Sequence, residues 1–312
     1  MKKTNQVFTA EYVSPKHPDK MCDRISDAIL EKFTNQDPNS RVAVETLGGH
    51  GKVFIVGEVT SSGTIKQSEY EQIVADITGV DSYEVIVHIV QQSSEIATGV
   101  NTGGAGDQGI VIGYACNHNK EMIPQEFYLA KSLCGYLYKK YPVDGKTQIT
   151  INQKHEITHL VASFQGTKTH KLTKMIYQWL KSKKHIKEIK ILINPAGEWS
   201  IGGFEADTGL TGRKIVIDQY GPRVAVGGGA FSGKDWTKVD RSGAKYAQYI
   251  AQQLLNQHNA KVVSVELAYA IGIVEPVQKI AYIDNVATEI LEWDCSMNGI
   301  KEFRNTKHQE II

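Results

Sequence analysis

Apolar side chains along this chain follow two spacings, and the order in which the spacings alternate occurs three times. Between 18 and 34, Met21, Cys22, Ile25, Ala28, Ile29 and Phe33 recur at helical intervals. Two strand-like runs follow, RVAVETL (41–47) and KVFIVGEVT (52–60), then a helical stretch near 67–77 and a strand, YEVIVHIV (83–90). The second round predicts a helix at 124–140, strands at 147–152 and 157–164, a helix at 171–183 and a strand at 186–193. The third predicts a helix at 241–257, strands at 261–270 and 279–283, and a helix near 284–293. Only the pattern repeats, not the residues. It implies an α/β (α+β) protein of three similar domains, 1–95, 104–201 and 202–312, each a sheet carrying helices on one face. The other sheet faces would pack against each other or against a second subunit.

Composition adds little to this but excludes much. The 312 residues are 41% hydrophobic and 22% charged, ordinary values for a globular chain. Net charge is +1, so no overall field gathers nucleic acid or anionic lipid, and neither is expected as a partner. Any anion site must be local. Cys22, Cys116, Cys134 and Cys295 form no CxxC pair, which suits a reducing compartment. His155 and His159 would share a face only on a helix, and QITINQKHEITHLVASF reads as a hairpin instead. There is no apolar signal core and no apolar run near the roughly 18 residues that span a membrane, so a cytoplasmic protein is expected.

Residues 227–247, GGGAFSGKDWTKVDRSGAKYA, nearly spell a phosphate-binding loop. Gly228, Gly233 and Lys234 fit G-x-x-x-x-G-K, but Asp235 stands where Ser or Thr would bind magnesium. GPRVAVGGG, just upstream, is also a poor buried strand. The glycines still allow a backbone to approach a ligand closely, and Lys234, Lys238 and Arg241 place three cations beside them. Asp240 either caps the following helix or holds a divalent cation.

Three further stretches carry candidate chemistry. In KHPDKMCDRISDAIL, Pro18 fits a first helical turn, which gathers His17, Asp19 and Lys20 at a helix N-terminus. Asp23 and Asp27 continue that face and read as a solvated acidic stripe. In GGAGDQGIVIGYA, Asp107 sits in a tight glycine bend from which it could also meet a ribose or an amine. In EADTGLTGRKIVIDQYG, Asp207 precedes a glycine turn and Arg213 and Lys214 open a strand, where neighbours point to opposite faces.

Taken together these blocks resemble S-adenosylmethionine synthetase (methionine adenosyltransferase), in that family's order. HPDKMCDRISDAIL, GAGDQGIVIGYA, DTGLTGRKIVIDQYG and GGGAFSGKDWTKVDRS carry the resemblance, supported by KTQITI, INPAGEWSIGG and YAIGIVEP, over residues 7 to about 280. The resemblance implies three similar domains about a pseudo-threefold axis and an active site between two subunits. It implies sulfur attack of L-methionine on C5′ of ATP with triphosphate leaving, then hydrolysis to pyrophosphate and phosphate. By matched positions His17, Lys146, Arg213, Lys234 and Lys238 would be catalytic. ATP and its triphosphate would also meet Asp107, Trp199, Asp207, Lys214, Ser232 and Ile271. Methionine would meet Glu58, Gln92, Asp207 and Lys238. Asp19 and Asp240 would bind Mg2+, two ions per site, and Glu45 K+.

The chain departs from the family pattern in places. Pro15 and Lys16 replace Glu-Gly before His17, Gln91 replaces a lysine, and Glu95 replaces an aspartate. Segment 96–105 is short for the family's active-site loop, and the closing aromatic-glycine segment is absent. A compact member is expected, as a homodimer in preference to a tetramer. Two other readings use the same residues: a methionine-independent ATP or triphosphate hydrolase, and a catalytically weak regulatory subunit.

Overall fold

The computed structural model describes residues 6–92, 103–183 and 186–307. In chain order its first elements are β1 (Val7–Val13), α1 (Pro18–Gln36), β2 (Arg41–Gly49), β3 (Lys52–Thr60), α2 (Gln67–Thr78) and β4 (Glu84–Val90). Next come β5 (Gly109–Cys116), α3 (Gln125–Lys140), β6 (Gly145–Asn152), β7 (Ile157–Phe164), α4 (Thr169–Lys181) and β8 (Ile186–Ile193). The last part holds β9 (Gly209–Leu210), α5 (Ile215–Asp218), α6 (Val239–Gln257), β10 (Val262–Tyr269), β11 (Gln278–Ile283), β12 (Val286–Thr288) and α7 (Met297–Lys307).

Three four-stranded sheets result, each with helices on one face, as the pattern predicts. The first has the order β1-β6-β7-β8 and carries α3 and α4; the second, β4-β3-β2-β9, carries α1 and α2; the third, β12-β11-β10-β5, carries α6 and α7. Each has its own apolar core. Under α1, for example, Met21, Cys22, Ile25 and Ile29 meet Val42, Val44, Val53 and Ile55 from the strands. The period-2 burial of β2 and β3 leaves Ala43, Glu45 and Leu47, with Phe54, Val56 and Glu58, on the opposite face.

The sheets also exchange strands in a way the three-fold pattern does not show. β1 pairs antiparallel with β6, from Val7 against Asn152 to Val13 against Lys146. β5 pairs with β10, and β9 returns from late in the chain to pair Leu210 with Leu47 on β2. These exchanges tie the three units together.

The expected helix near 284–293 is not there. Asp284 and Asn285, at φ 48° and 69°, form a two-residue left-handed turn from β11 into β12, and the helix begins only at Met297. The Asp284 carboxylate accepts the Lys261 and Val262 amides, both at 2.9 Å, and so anchors that turn. His155 and His159 lie on a hairpin as read, with His155 at a left-handed turn position (φ 60°).

Two glycines test the packing with opposite signs. A Cβ on Gly113 of β5 would overlap the Ala247 carbonyl of α6, whereas one on exposed Gly135 of α3 would meet nothing. Gly113→Ala should therefore cost about 1–3 kcal/mol by overpacking. Gly135→Ala should gain about 0.5–1 kcal/mol by helix propensity. Denaturant midpoints at one fixed protein concentration measure both, and equal shifts would contradict the assignment of this contact.

Candidate active site

The outer edge of β2, on the side away from β3, is shared by two loops from the last third of the chain. Along its C-terminal half, Leu47 and Gly48 pair with Leu210 and Gly209, and the Thr211 amide donates to the Thr46 carbonyl at 3.0 Å. Along its N-terminal half, the Val44 amide donates to the Gly233 carbonyl (3.1 Å), Lys234 bridges to Ala43, and the Asp235 amide donates to the Val42 carbonyl (3.0 Å). From Ala43 to Leu47 is four strand steps, about 13 Å. Between the two contacts the Ser26 hydroxyl lies 2.8 Å from both the Thr46 and the Thr211 hydroxyl, all three buried.

Helix α1 holds the same two loops from beneath. Asp19, Asp23 and Asp27 stand at i, i+4 and i+8 on one helix face. Asp19 accepts the Leu210 amide at 3.0 Å, Asp23 the Gly212 amide at 2.9 Å, and Asp27 the Gly233 amide at 3.1 Å. The expected solvated acidic stripe is thus corrected for Asp23, which is 2% exposed, and for Asp27, which is bound on one side. Asp27 also accepts from Ser232 (3.0 Å) and from buried Arg241 (3.0 Å). Asp23 faces Lys20 at 2.8 Å, and Lys20 in turn meets Asp218 at 2.5 Å. Burial would empty the Lys20 ammonium of its proton, but the two carboxylates outweigh it and raise its pKa. The sequence signal for this ladder is the four-residue spacing itself, on a helix whose neighbouring positions are apolar.

At the α1 N-terminus the ladder becomes a charged pocket. His17 is the N-cap, and its Nδ1 accepts the Asp19 amide at 3.2 Å. A neutral imidazole making that bond carries its proton on Nε2. Burial, then the nearby Lys214 and Lys146 against the pull of Asp19, lower its pKa to about 4, so the ring is neutral at pH 7. Asp19, 1% exposed, is bonded by Lys214 and has the Arg213 guanidinium 3.6 Å away. Burial alone would raise this carboxyl; Lys214, the Leu210 amide and Arg213 bring it below its usual range. Arg213 and Lys214 do not open a strand as expected. Gly212 at φ 77° turns the chain and α5 follows, so both cations reach one carboxylate. Lys146, on β6, pairs with Glu11 at 2.9 Å, and exposed Asp207 receives its neighbour's amide at 2.9 Å. Sequence reading missed Asp144, whose half-buried carboxylate accepts the Gly203 amide at 3.0 Å and has its pKa raised by desolvation.

The glycine-lysine loop makes a second cluster on the other side of the edge. Paired strand residues point the same way, so Lys234, opposite Ala43, shares the exposed face with Glu45. Lys234 Nζ lies 2.8 Å from Asp240, which sits in the first turn of α6; the cap position belongs to Lys238, so the capping role for Asp240 is set aside. Asp235 explains the failed phosphate-loop pattern. It is 5% exposed and accepts from the Val42 amide (2.6 Å), the Thr237 amide (2.8 Å) and Lys238 (3.0 Å). It fastens the loop to β2 where Ser or Thr would have met a metal. A Cβ at Gly233 would overlap the Val44 carbonyl, and one at Gly229 would overlap the Asp240 carboxylate. Behind the loop lies a cavity of about 760 Å³ lined by Asp27, Trp236, Arg241 and Arg304 among others.

The remaining expected residues fall around these clusters. Glu45 lies near Lys234; desolvation raises its carboxyl pKa against that cation's pull. Glu58 faces outward two strand positions away, and Gln92, just past β4, has a buried Oε1 without a hydrogen-bond partner among the described residues. Asp107 closes a tight turn on the Gln108 amide (2.7 Å), as its glycine setting suggests. Ile271, half exposed, bridges to Ala105 nearby. Trp199 is half-buried, with Gly202 packed against its ring. Of the short segment 96–105, residues 96–102 lie outside the described residues, as does Glu95. Among the described residues no group of three or more His, Cys, Asp or Glu could hold a metal, and no helix is long and apolar enough to cross a membrane.

Three family models match in succession: the S-adenosylmethionine synthetase N-terminal domain over 5–101, the central domain over 102–199 and the C-terminal domain over 201–312. An S-adenosylmethionine synthase of Prochlorococcus marinus (strain MIT 9211) is 39% identical, covering 87% of this chain and 79% of the relative. One from Mesoplasma florum is 36% identical over 98% of this chain and 90% of the relative. A solved structure described as an unusual S-adenosylmethionine synthetase from Campylobacter jejuni superposes with a TM-score of 0.85 at 31% identity. It covers 96% of this chain and 89% of that one. The fold defines a three-sheet protein in which two glycine loops set cations against carboxylates beside β2. The chain belongs to the S-adenosylmethionine synthetase family.

Asp23 is the rung whose loss reads most cleanly, because it touches no expected substrate contact directly. Asp23→Ala should destabilise the fold by about 2 kcal/mol, the worth of a buried hydrogen bond to a charged group. Amide exchange should rise at Gly212. Unchanged protection at Gly212 would show that the ladder does not hold this loop.

Proposed function

We propose that this chain forms S-adenosylmethionine from ATP and L-methionine. What carries the reading is that two glycine loops on β2 each set a pair of cations against carboxylates, Arg213 and Lys214 by Asp19, and Lys234 and Lys238 by Asp240 and Asp235. The methionine sulfur attacks C5′ with its lone pair, the C5′–O bond breaks, and triphosphate departs with the bonding electrons, leaving a sulfonium. The sulfur needs no base. The demand is for positive charge along the departing chain, which the four cations and Lys146 supply. His17, neutral and protonated on Nε2, donates to the bridging oxygen as charge develops there. Water then cleaves the held triphosphate to pyrophosphate and phosphate. Trp199 and Ile271 offer surfaces to the adenine, Asp107 and Asp207 to polar groups of the substrates, Ser232 to a phosphate, and Glu58 and Gln92 to methionine.

The family uses metal ions, and this reading takes them as two Mg2+ per site, at Asp19 and Asp240, with K+ at Glu45. The donor set fits: each position offers one carboxylate, and Mg2+ is commonly held by one or two carboxylates with substrate phosphates completing its shell. Bound there, Mg2+ would neutralise phosphate charge. Lys214 and Lys234, which now occupy Asp19 and Asp240, would turn to the phosphates.

The reading also makes the site the property of two chains. The His17 cluster lies at the α1 terminus on the helix side of the second sheet, the Lys234 cluster on its exposed face. That face carries Leu47, Phe54, Val56 and Val90, each 37–48% exposed, around Glu45 and Glu58. A second copy covering it would bury this apolar surface and bring its own His17 cluster to Lys234. The reading is a homodimer, placed in the cytoplasm because free, unpaired cysteines suit a reducing compartment.

Incubation with ATP, Mg2+ and K+, with and without L-methionine, followed by mass spectrometry, tests the reaction. Sulfonium product only with methionine, together with pyrophosphate and phosphate, is expected. Phosphate release without sulfonium would favour the hydrolase alternative. Lys234→Ala should cut turnover by about 100- to 1,000-fold, the usual worth of one oriented charge in such a site. Near-normal turnover would remove Lys234 from the leaving-group role.

A further inference from the structure

The net charge of +1 conceals an uneven distribution. Residues 102–199 hold fourteen lysines, no arginine and seven carboxylates, a net +7, so the rest of the chain is acidic by six charges. Part of this excess is gathered on one helix. α4 contains no carboxylate and buries Leu172, Ile176, Trp179 and Leu180 against the first sheet. Its outer face shows Lys171, Lys174, Gln178 and Lys181, a single stripe by helical spacing that runs about 15 Å. His170 is exposed beside it, and Tyr177, three residues from Lys174 and four from Lys181, flanks it with 55% of its surface exposed. Lys171, Lys174 and Lys181 make no ion pair among the described residues. α3 packs beside α4, with Trp179 Nε1 donating to Ser132 at 3.3 Å, and its last turn carries exposed Lys139 and Lys140.

A stripe whose charges are all lysine, without carboxylates, calls for a partner whose charge is extended and uniformly negative. A bilayer surface would also need apolar side chains on the exposed face, but those of α4 lie beneath it in the core. An acidic globular protein would need an apolar patch at the centre of the contact, and here there is one tyrosine. A nucleic-acid strand needs what is present: point charges spaced for phosphates and an open ring for stacking a base. We propose that the exposed face of α4 binds a nucleic-acid strand through its phosphodiester backbone, without sequence preference. None of these residues belongs to the proposed active site, so this surface and the synthetase reaction are separable.

The intact protein should be titrated against fluorescent single strands of RNA and of DNA, about 20 nucleotides long, with vesicles of phosphatidylserine as a third arm. Binding of a strand is expected, weakening between about 50 and 200 mM salt with a log–log slope near −2 to −3, as three or four released phosphate counterions give. RNA bound better than DNA would place the ligand's source in RNA; equal binding would mean that the backbone alone is read. The triple variant Lys171→Glu/Lys174→Glu/Lys181→Glu should lose at least about tenfold in affinity. Its sulfonium formation should stay unchanged, which also certifies its fold. Tyr177→Ala should weaken single strands more than duplex. No binding at low salt, triple-variant binding equal to wild type, or binding to vesicles but not to strands would each overturn the proposal.

Discussion

Three carboxylates on one helix face hold the functional part of this molecule together. Asp19, Asp23 and Asp27 each accept a backbone amide from a loop that arrives about 190 to 206 residues later in the chain. The opposite side of each loop is zipped to the edge of β2. Neither support alone would fix a glycine-rich segment, whose unfolded freedom is large. Together they hold both loops between a helix and a strand that share one apolar core. The acid ladder also sets the electrostatics, because buried carboxylates are what allow so many cations to be kept close together without mutual repulsion.

This arrangement differs from a phosphate loop of the usual kind in a way that suits the chemistry. A P-loop cradles the inner phosphates with backbone amides, one lysine and a hydroxyl-bound metal. Here the Leu210, Gly212 and Gly233 amides are taken by the α1 carboxylates and the Thr211 and Asp235 amides by β2, so the proposed phosphate contacts fall to side-chain cations. When the entire triphosphate leaves carbon, its charge is distributed, and cations drawn from two separate loops match that better than one cradle. Asp235, the residue that breaks the P-loop pattern, is the one that ties the loop to Val42 and positions Lys238.

Much of this was legible in the sequence. The helix and strand rhythms placed most elements within a few residues, because each amphipathic face is buried against its own sheet. The N-terminal cluster was legible from Pro18 and its neighbours, and the charged residues from their motifs. What was not legible depends on long-range pairing. β1, β5 and β9 join sheets built mainly from other parts of the chain, and no local periodicity reports a partner more than a hundred residues away. Asp23 and Asp27 look like any exposed acidic stripe until the glycine loops are laid over them. Arg213 and Lys214 were misplaced because a left-handed Gly212 followed by a single helical turn is hidden in an apolar IVI run. The missing helix after β11 was lost to two adjacent left-handed residues, Asp284 and Asn285, whose turn signal an apolar count ignores.

The central claim is that each active site takes its His17 cluster from one chain and its Lys234 cluster from another. Mixing His17→Ala with Asp240→Ala after reversible subunit dissociation, then measuring sulfonium formation, tests it directly. Each variant alone should be nearly inactive. In an equal mixture half the dimers are mixed, and each of those carries one site with both wild-type halves, so about one quarter of wild-type activity should return. Absence of rescue, with mixed dimers demonstrated by mass spectrometry, would show that both clusters of a site come from the same chain.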